Sequence, residues 1–134
     1  MSYSRMFIPN LPVTDLQRTK AFWTKLGFTL DSNMTGENSV CIEINETCRV
    51  MFVGTKFFES LTSKPVPDFD KTCAVTLSFT VESRSGVDEL IRNVVSAGGT
   101  KAHEPEDQGF MYDCGFFDPD GHAWSVYWVN PGAS

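Results

Sequence analysis

The same order of structural patterns occurs twice along this chain, and that repeat limits the folds open to it. Each copy begins with a strand-like run, one ending at Val13-Thr14-Asp15 and the other at Val81-Glu82-Ser83. An amphipathic helical pattern follows each run and stops at glycine, and further strand-like runs come after it. A unit of this size cannot bury a core alone, so two copies packed into one domain are expected.

The repeat predicts an α+β domain over residues 1–134, with one module at about 6–53, a linker at 54–72 and a second module at about 73–129. Each module has the order strand, helix, strand, strand, strand. Capping-box patterns place the helix starts at Thr14 and Ser85. The predicted strands are 7–13, 28–31, 39–44 and 49–53 in the first module, and 75–81, 100–103, 110–117 and the run after Gly121 in the second.

The closing hairpin is the clearest local pattern. Asp118-Pro119-Asp120-Gly121 predicts a tight reversal in which Gly121 adopts a positive φ, and His122 at the turn is expected to be exposed or capping. After the turn, Ala123, Ser125 and Tyr127 alternate with Trp124, Val126 and Trp128. The bulky apolar set is expected to cover a core, and the smaller, more polar set to line a cavity.

Composition excludes several classes of function. The formal net charge is −6 and the basic residues are scattered singly, which argues against a nucleic-acid partner. There is no apolar run long enough to span a membrane, and the first residues lack the apolar core of a signal peptide, so a cytoplasmic location is expected. The four cysteines, none in a Cys-x-x-Cys pair, are expected to be reduced and mostly buried.

Several motifs, in their order and spacing, resemble the vicinal oxygen chelate superfamily, which holds glyoxalase I, extradiol dioxygenases, and fosfomycin- and bleomycin-resistance proteins. The opening resembles it at Leu11–Leu16, at Ala21-Phe22-Trp23 and at Leu26-Gly27-Phe28, and the close at Asp118–His122. Within the superfamily, the bacterial proteins labelled predicted lactoylglutathione lyases are similar at Phe57-Phe58, Lys64-Pro65, Glu104-Pro105 and Gly109–Tyr112.

The resemblance implies two tandem βαβββ modules whose curved mixed sheets enclose a cavity, often shared within a dimer. Metal-using members carry ligands on the first and last strands of each module. Those positions fall on Ile8, Thr76 and Ser125, with the fourth near Met51. None of these residues is a hard donor such as imidazole or carboxylate, so no metal and no cofactor are expected.

The leading hypothesis is therefore metal-independent binding of a small, partly apolar molecule in the cavity. The predicted ligand-binding residues, which combine apolar surface with a few hydroxyl and amide groups, are Ile8, Asn10, Thr76, Ser78, Phe110, Tyr112, Ser125 and Tyr127. Alternatively, the small polar residues face a filled interior and bind no ligand. A homodimer is also expected, because the modules leave a sheet edge and an aromatic linker to cover.

Two other classes stay open. One is a metal-dependent enzyme like lactoylglutathione lyase or an extradiol dioxygenase, or an enzyme that uses His103, Cys114 and the nearby acids Glu104, Glu106, Asp107 and Asp113 for acid–base or nucleophilic chemistry. Against that, residues 104–108 have the composition of an exposed loop, and Glu43 is expected to pair with Arg49 across a hairpin. The other class is a structural or protein-interaction domain, which no motif favours.

Overall fold

Two curved mixed sheets, each with a helix on one face, form the fold. The structure, a computed structural model, describes residues 3–132, and the chain divides between Pro67 and Asp68 into two units. The first unit contains β1 (Asn10–Val13), α1 (Leu16–Lys25), β2 (Ser39–Asn45), β3 (Cys48–Gly54) and the short α2 (Thr55–Phe58). The second contains β4 (Thr76–Thr80), α3 (Arg84–Ser96), β5 (Thr100–Lys101), β6 (Glu106–Asp107), β7 (Met111–Phe117) and β8 (Ala123–Val129).

The two sheets have equivalent strand orders. In the first, β1 lies parallel to β3, which is antiparallel to β2. In the second, β4 lies parallel to β8, which is antiparallel to β7, and β7 also pairs with β5 and β6. The strand predicted at 28–31 is reduced to a single bridge between Leu30 and Ile42, at the place that β5 holds in the second sheet. The predicted α+β class with two mixed sheets is confirmed.

An aromatic cluster holds α1 against its sheet. Phe22 and Trp23 are buried, and the Trp23 ring stacks on Phe52 of β3 with 5.6 Å between ring centroids. The helix begins one residue later than predicted, because Asp15, rather than Thr14, is the N-cap. Its carboxylate accepts from the backbone amides of Gln17 and Arg18 at 3.0 and 3.1 Å.

The second helix, α3, buries one apolar face on its own sheet. That face consists of Val87, Leu90, Ile91 and Val94. The predicted cap at Ser85 is wrong, because Ser83 is the N-cap and its Oγ accepts from the Gly86 amide at 3.0 Å. The helix therefore begins two residues earlier than predicted.

The closing hairpin is built around one buried carboxylate. Asp118 Oδ1 accepts from the amides of Asp120 and His122, and Oδ2 accepts from Trp124 Nε1 at 3.1 Å. Desolvation by burial raises the pKa of Asp118. Gly121 has φ +88°, as predicted.

The expectation that His122 is exposed is wrong. The side chain is only 4% exposed, and its ring centroid lies 4.3 Å from that of Phe69. The imidazole points towards the interior of the second unit because the Asp118 carboxylate accepts from the His122 amide inside the turn.

The cysteines are all unpaired within residues 3–132. Cys41 and Cys114 are buried, Cys48 is half-buried and Cys73 is exposed, so the expectation of mostly buried thiols fails for Cys73. The predicted loop at 104–108 contains the short strand β6, although its residues are exposed. No described helix is long and apolar enough to cross a membrane.

Candidate functional site

A row of hydroxyl groups covers one face of the second sheet. In the β4–β8 pair, Ser78 lies beside Ser125 and Thr80 beside Tyr127. Trp124 and Val126 are buried on the face that carries α3, so the residues between them point the other way. We call the opposite surface the hydroxyl face, and it consists of Thr76, Ser78, Thr80, Ser125 and Tyr127.

The hydroxyl face is open rather than filled. Thr76, Ser78 and Thr80 are exposed, and Ser125 and Tyr127 are half-buried. Ser78 Oγ donates to Tyr127 Oη at 3.1 Å, which leaves the phenol hydrogen of Tyr127 available to another acceptor. Four of the eight predicted ligand-binding residues therefore lie together: Thr76, Ser78, Ser125 and Tyr127.

Tyr112 lies on the other face of the same sheet. Its hydroxyl donates to Asp88 Oδ1 of α3 at 2.7 Å, and this hydrogen bond raises the pKa of Tyr112 to about 12. Arg84 lies 5.2 Å above the Tyr112 ring and 5.1 Å above that of Trp128. Tyr112 thus joins α3 to the sheet, and the structure does not bring it to the hydroxyl face. Phe110 precedes β7 and is 52% exposed.

Ile8 and Asn10 belong to the first unit. Ile8 is half-buried just before β1, and Asn10 begins that strand, where its Nδ2 donates to Ile8 O at 2.9 Å. Asn10 lies beside Met51 in the β1–β3 pair, as Ser78 lies beside Ser125 in the second unit. Met51 is therefore the topological counterpart of Ser125, within the range expected for the fourth family position.

The side chains at these family positions do not suit a hard divalent metal. An aliphatic group, two hydroxyls and a thioether offer neither carboxylate nor imidazole donors. Within residues 3–132, no three histidine, cysteine or acidic side chains are grouped in a way that could hold a metal ion. The donor chemistry therefore does not fit the metal that the resemblance implies, and no chemical step is derived through one.

A carboxylate lies next to the hydroxyl face. Asp113 of β7 is opposite Tyr127 on one side and Glu106 of β6 on the other. Asp113 is 8% exposed, and its Oδ1 accepts from Gln108 Nε2 at 3.3 Å. The sequence analysis names Asp113 as a possible acid–base group but does not place it beside the hydroxyl face. The signal was present in the sequence, since Asp113 and Gly115 alternate with Cys114 and Phe116 and so belong to the opposite face of the strand.

The groups considered for acid–base or nucleophilic chemistry have structural partners. His103 Nε2 accepts from the Gly115 amide at 3.2 Å, which makes Nδ1 the donor to Glu104 O at 2.7 Å. Cys114 Sγ donates to His103 O at 3.1 Å, and burial raises the pKa of this thiol. A high thiol pKa lowers the fraction of nucleophilic thiolate. His103, which is exposed, and Cys114, which is buried, are thus each engaged in hydrogen bonds with the backbone.

In the first unit, the expected Glu43–Arg49 ion pair is replaced by another. The two residues are opposite each other in the β2–β3 hairpin, but Arg49 Nε donates to Asp31 Oδ2 at 3.0 Å. The hydrogen bond from Arg49 is the main cause of the lowered pKa of Asp31. Arg49 also donates to the carbonyl of Asn45 at the hairpin turn. Arg49 therefore connects the hairpin turn to the segment that precedes β2.

Two depressions in the surface lie outside the hydroxyl face, although Phe117, which flanks that face, also lines the second. One of about 560 Å³ is in the first unit beside Phe28, Glu43 and Arg49. The other, about 300 Å³, is in the second unit beside Phe69 and Asp118. Neither is lined by a predicted ligand-binding residue, and both lie at turns with polar rims. They offer less of the convergent apolar surface that a small-molecule site requires.

Comparison with known proteins agrees with the fold. Residues 7–126 match the sequence profile of the Glyoxalase/Bleomycin resistance protein/Dioxygenase superfamily. Curated protein sequences contain no significant match.

Among solved structures, a hypothetical protein from S. aureus has a TM-score of 0.81 at 26% identity, over 96% of each chain. A glyoxalase/bleomycin resistance protein/dioxygenase family enzyme from Burkholderia phytofirmans has a TM-score of 0.77 at 18% identity, over 93% of this chain and 98% of its own. A glyoxalase-related enzyme from Fulvimarina pelagi has a TM-score of 0.80 at 16% identity, over 94% and 88%.

Proposed function

The chain belongs to the Glyoxalase/Bleomycin resistance protein/Dioxygenase superfamily, and on that premise we propose that it binds a small, partly apolar molecule without a metal ion. The observation that carries the proposal is the hydroxyl face: four predicted ligand-binding residues lie together on an open sheet surface. The same positions lack the donors that a hard metal needs.

The chemistry of the face suits a ligand with both apolar and polar parts. Hydroxyl groups of Ser78, Ser125 and Tyr127 can donate or accept hydrogen bonds. Apolar side chains flank them on the same face, with Phe117 opposite Ala123 at one end and Met111 opposite Val129 at the other. An apolar surface with a few placed polar groups is the usual composition of a ligand site.

The proposal extends to the remaining expectations. Ile8 and Asn10 hold the corresponding strand position in the first unit and stay candidate ligand contacts. We also propose a homodimer, since β1 and β4 are edge strands of their sheets within the described residues. A cytoplasmic location is proposed from the composition and from the reduced state expected for the thiols.

The test combines metal analysis with ligand binding. Protein purified without chelator is expected to contain no stoichiometric nickel, zinc, manganese or iron by elemental analysis. Naphthalenemethanol, a neutral and partly apolar probe, is expected to bind equally with and without EDTA in ligand-observed NMR. A stoichiometric metal, or turnover of methylglyoxal with glutathione that depends on added metal, would contradict the proposal.

A further inference from the structure

On the side of the second sheet that carries the hydroxyl face, the described strands hold acidic side chains but no lysine or arginine, and the His103 imidazole that lies against Gly115 accepts a hydrogen bond through Nε2. Among the described strand residues on this side of the second sheet, Asp113 and Glu106 are acidic, and none is lysine or arginine. The nearby basic side chains are engaged elsewhere. Arg84 pairs with Asp107 and lies over Tyr112 on the α3 side, and Lys101 pairs with Glu104. A ligand on this face therefore meets unbalanced negative charge.

Asp113 is the better placed of the two acids because it is more than nine-tenths buried yet incompletely bonded. Its Oδ1 accepts one neutral amide hydrogen from Gln108, at 3.3 Å. Within residues 3–132 it takes part in no ion pair. A carboxylate offers about four acceptor positions, so most of the capacity of Asp113 is unused.

The second oxygen of Asp113 remains reachable. No fully buried side-chain oxygen or nitrogen in the described part of the chain lacks a hydrogen-bond partner. Asp113 Oδ2 has no protein partner, so it retains contact with solvent. Asp113 lies directly opposite Tyr127 of β8 and therefore beside the hydroxyl face.

We propose that Asp113 determines ligand specificity by accepting hydrogen bonds from a protonated amine or amidine group of the molecule that the hydroxyl face binds. The proposal rests on the proposed binding function and narrows the ligand to a cationic, partly apolar compound. A protonated nitrogen supplies charge-assisted hydrogen bonds to a carboxylate that now has one neutral donor. Met111 and Val129, which are paired next to Asp113, supply apolar surface for the rest of the molecule.

The test uses three probes with the same ring system and different charge: naphthylmethylamine, naphthalenemethanol and naphthoate. Dissociation constants are measured on the full chain by ligand-observed NMR at neutral pH in the presence of EDTA. The amine is expected to bind the unmodified protein about tenfold or more tightly than the alcohol, which corresponds to about 1.4 kcal/mol. Naphthoate is expected to bind weakest.

Two substitutions then locate the charge effect. Asp113→Asn is expected to lower the affinity for the amine about tenfold or more and to leave that for the alcohol unchanged. Asp88→Asn removes the same charge from the α3 side and is expected to change neither. Asp113→Glu keeps the charge and is expected to retain a preference for the amine. Circular dichroism checks the fold of each variant.

The outcomes separate this inference from the function that it rests on. If none of the probes binds, both are contradicted. If the alcohol binds the unmodified protein as tightly as the amine does, the binding function stands but Asp113 does not select a charged ligand. This outcome does not depend on whether the variants fold. An equal loss of amine affinity in Asp88→Asn assigns the preference to net charge, which overturns the role of Asp113. The role of Asp113 is also overturned if the unmodified protein binds manganese and Asp113→Asn does not.

Discussion

Ser78 Oγ and Tyr127 Oη form a hydrogen bond of 3.1 Å between β4 and β8, side chain to side chain on the open face of the second sheet. The two strands are parallel, and their register places Ser78 beside Ser125 and Tyr127 beside Thr80. The contact is thus a diagonal one, in which the long phenol side chain reaches back along the sheet. It orients the Tyr127 hydroxyl so that its own hydrogen points away from Ser78.

Tyr127→Phe should weaken ligand binding without unfolding the protein. The substitution removes one hydroxyl and retains the ring, so the affinity for naphthalenemethanol is expected to fall about five- to tenfold, the effect of one hydrogen bond. Tyr112→Phe is the matched control, because Tyr112 lies on the next strand but faces α3. Affinities measured by NMR titration test the pair. Equal losses in both variants would remove Tyr127 from the site.

The periodicity of the sequence was sufficient to predict the sheets. Alternation from Ala123 to Trp128 separated the core face of β8 from the open face, and the glycine after each helix marked where the helix ended. Element starts were less predictable. Several neighbouring residues can cap a helix, and Thr14 and Asp15, or Ser83 and Ser85, differ only in which side chain reaches the free amides.

Side-chain partners on other elements were the part that sequence could not supply. The sequence predicts Tyr112 as a ligand-binding residue, but its hydroxyl bonds Asp88, which lies 24 positions away along the chain and carries no local signal of this contact. Arg49 was assigned to Glu43, its cross-strand neighbour, while the structure joins it to Asp31. Such choices depend on the packing of loops and helices on the sheet, which local patterns do not encode.

Tyr112 should titrate late. Its hydrogen bond to Asp88 raises its pKa to about 12, from an ordinary value near 10. Because the folded-state pKa lies above the unfolded one, the stabilisation is complete below pH about 10 and is lost as the pH rises towards 12. Absorbance at the tyrosinate band should therefore show one phenol still protonated at pH about 11. In Tyr112→Phe this late component should be absent. If it persists, another tyrosine is responsible.

The thiols should differ in reactivity in the order of their exposure. Cys73 is exposed, whereas Cys41 is buried and its pKa is raised to about 11, chiefly by desolvation. Ellman's reagent at pH 8 is expected to modify Cys73 first and Cys48 more slowly, and to reach Cys41 and Cys114 only after denaturation. Cys73→Ser should abolish the fast phase. A fast phase that survives this substitution would come from Cys48 or a buried thiol and would contradict the expected order.

Gly121 should be far less tolerant of substitution than another glycine with positive φ. A Cβ at Gly121, whose φ is +88°, would lie 2.8 Å from the carbonyl oxygen of Phe69, a backbone atom that cannot move aside. Gly98, with φ +107°, has open space around the same position, so Gly98→Ala incurs only the backbone strain.

Gly121→Ala is accordingly expected to lower the free energy of unfolding by about 2–4 kcal/mol, and Gly98→Ala by about 1–2 kcal/mol. The excess arises because the turn must open and loosen the contact between Phe69 and His122. Urea denaturation followed by tryptophan fluorescence measures both, since Trp124 is bonded to the carboxylate at the base of this turn. Equal losses would mean that the segment around Phe69 yields without cost, and that it does not hold the hairpin in place.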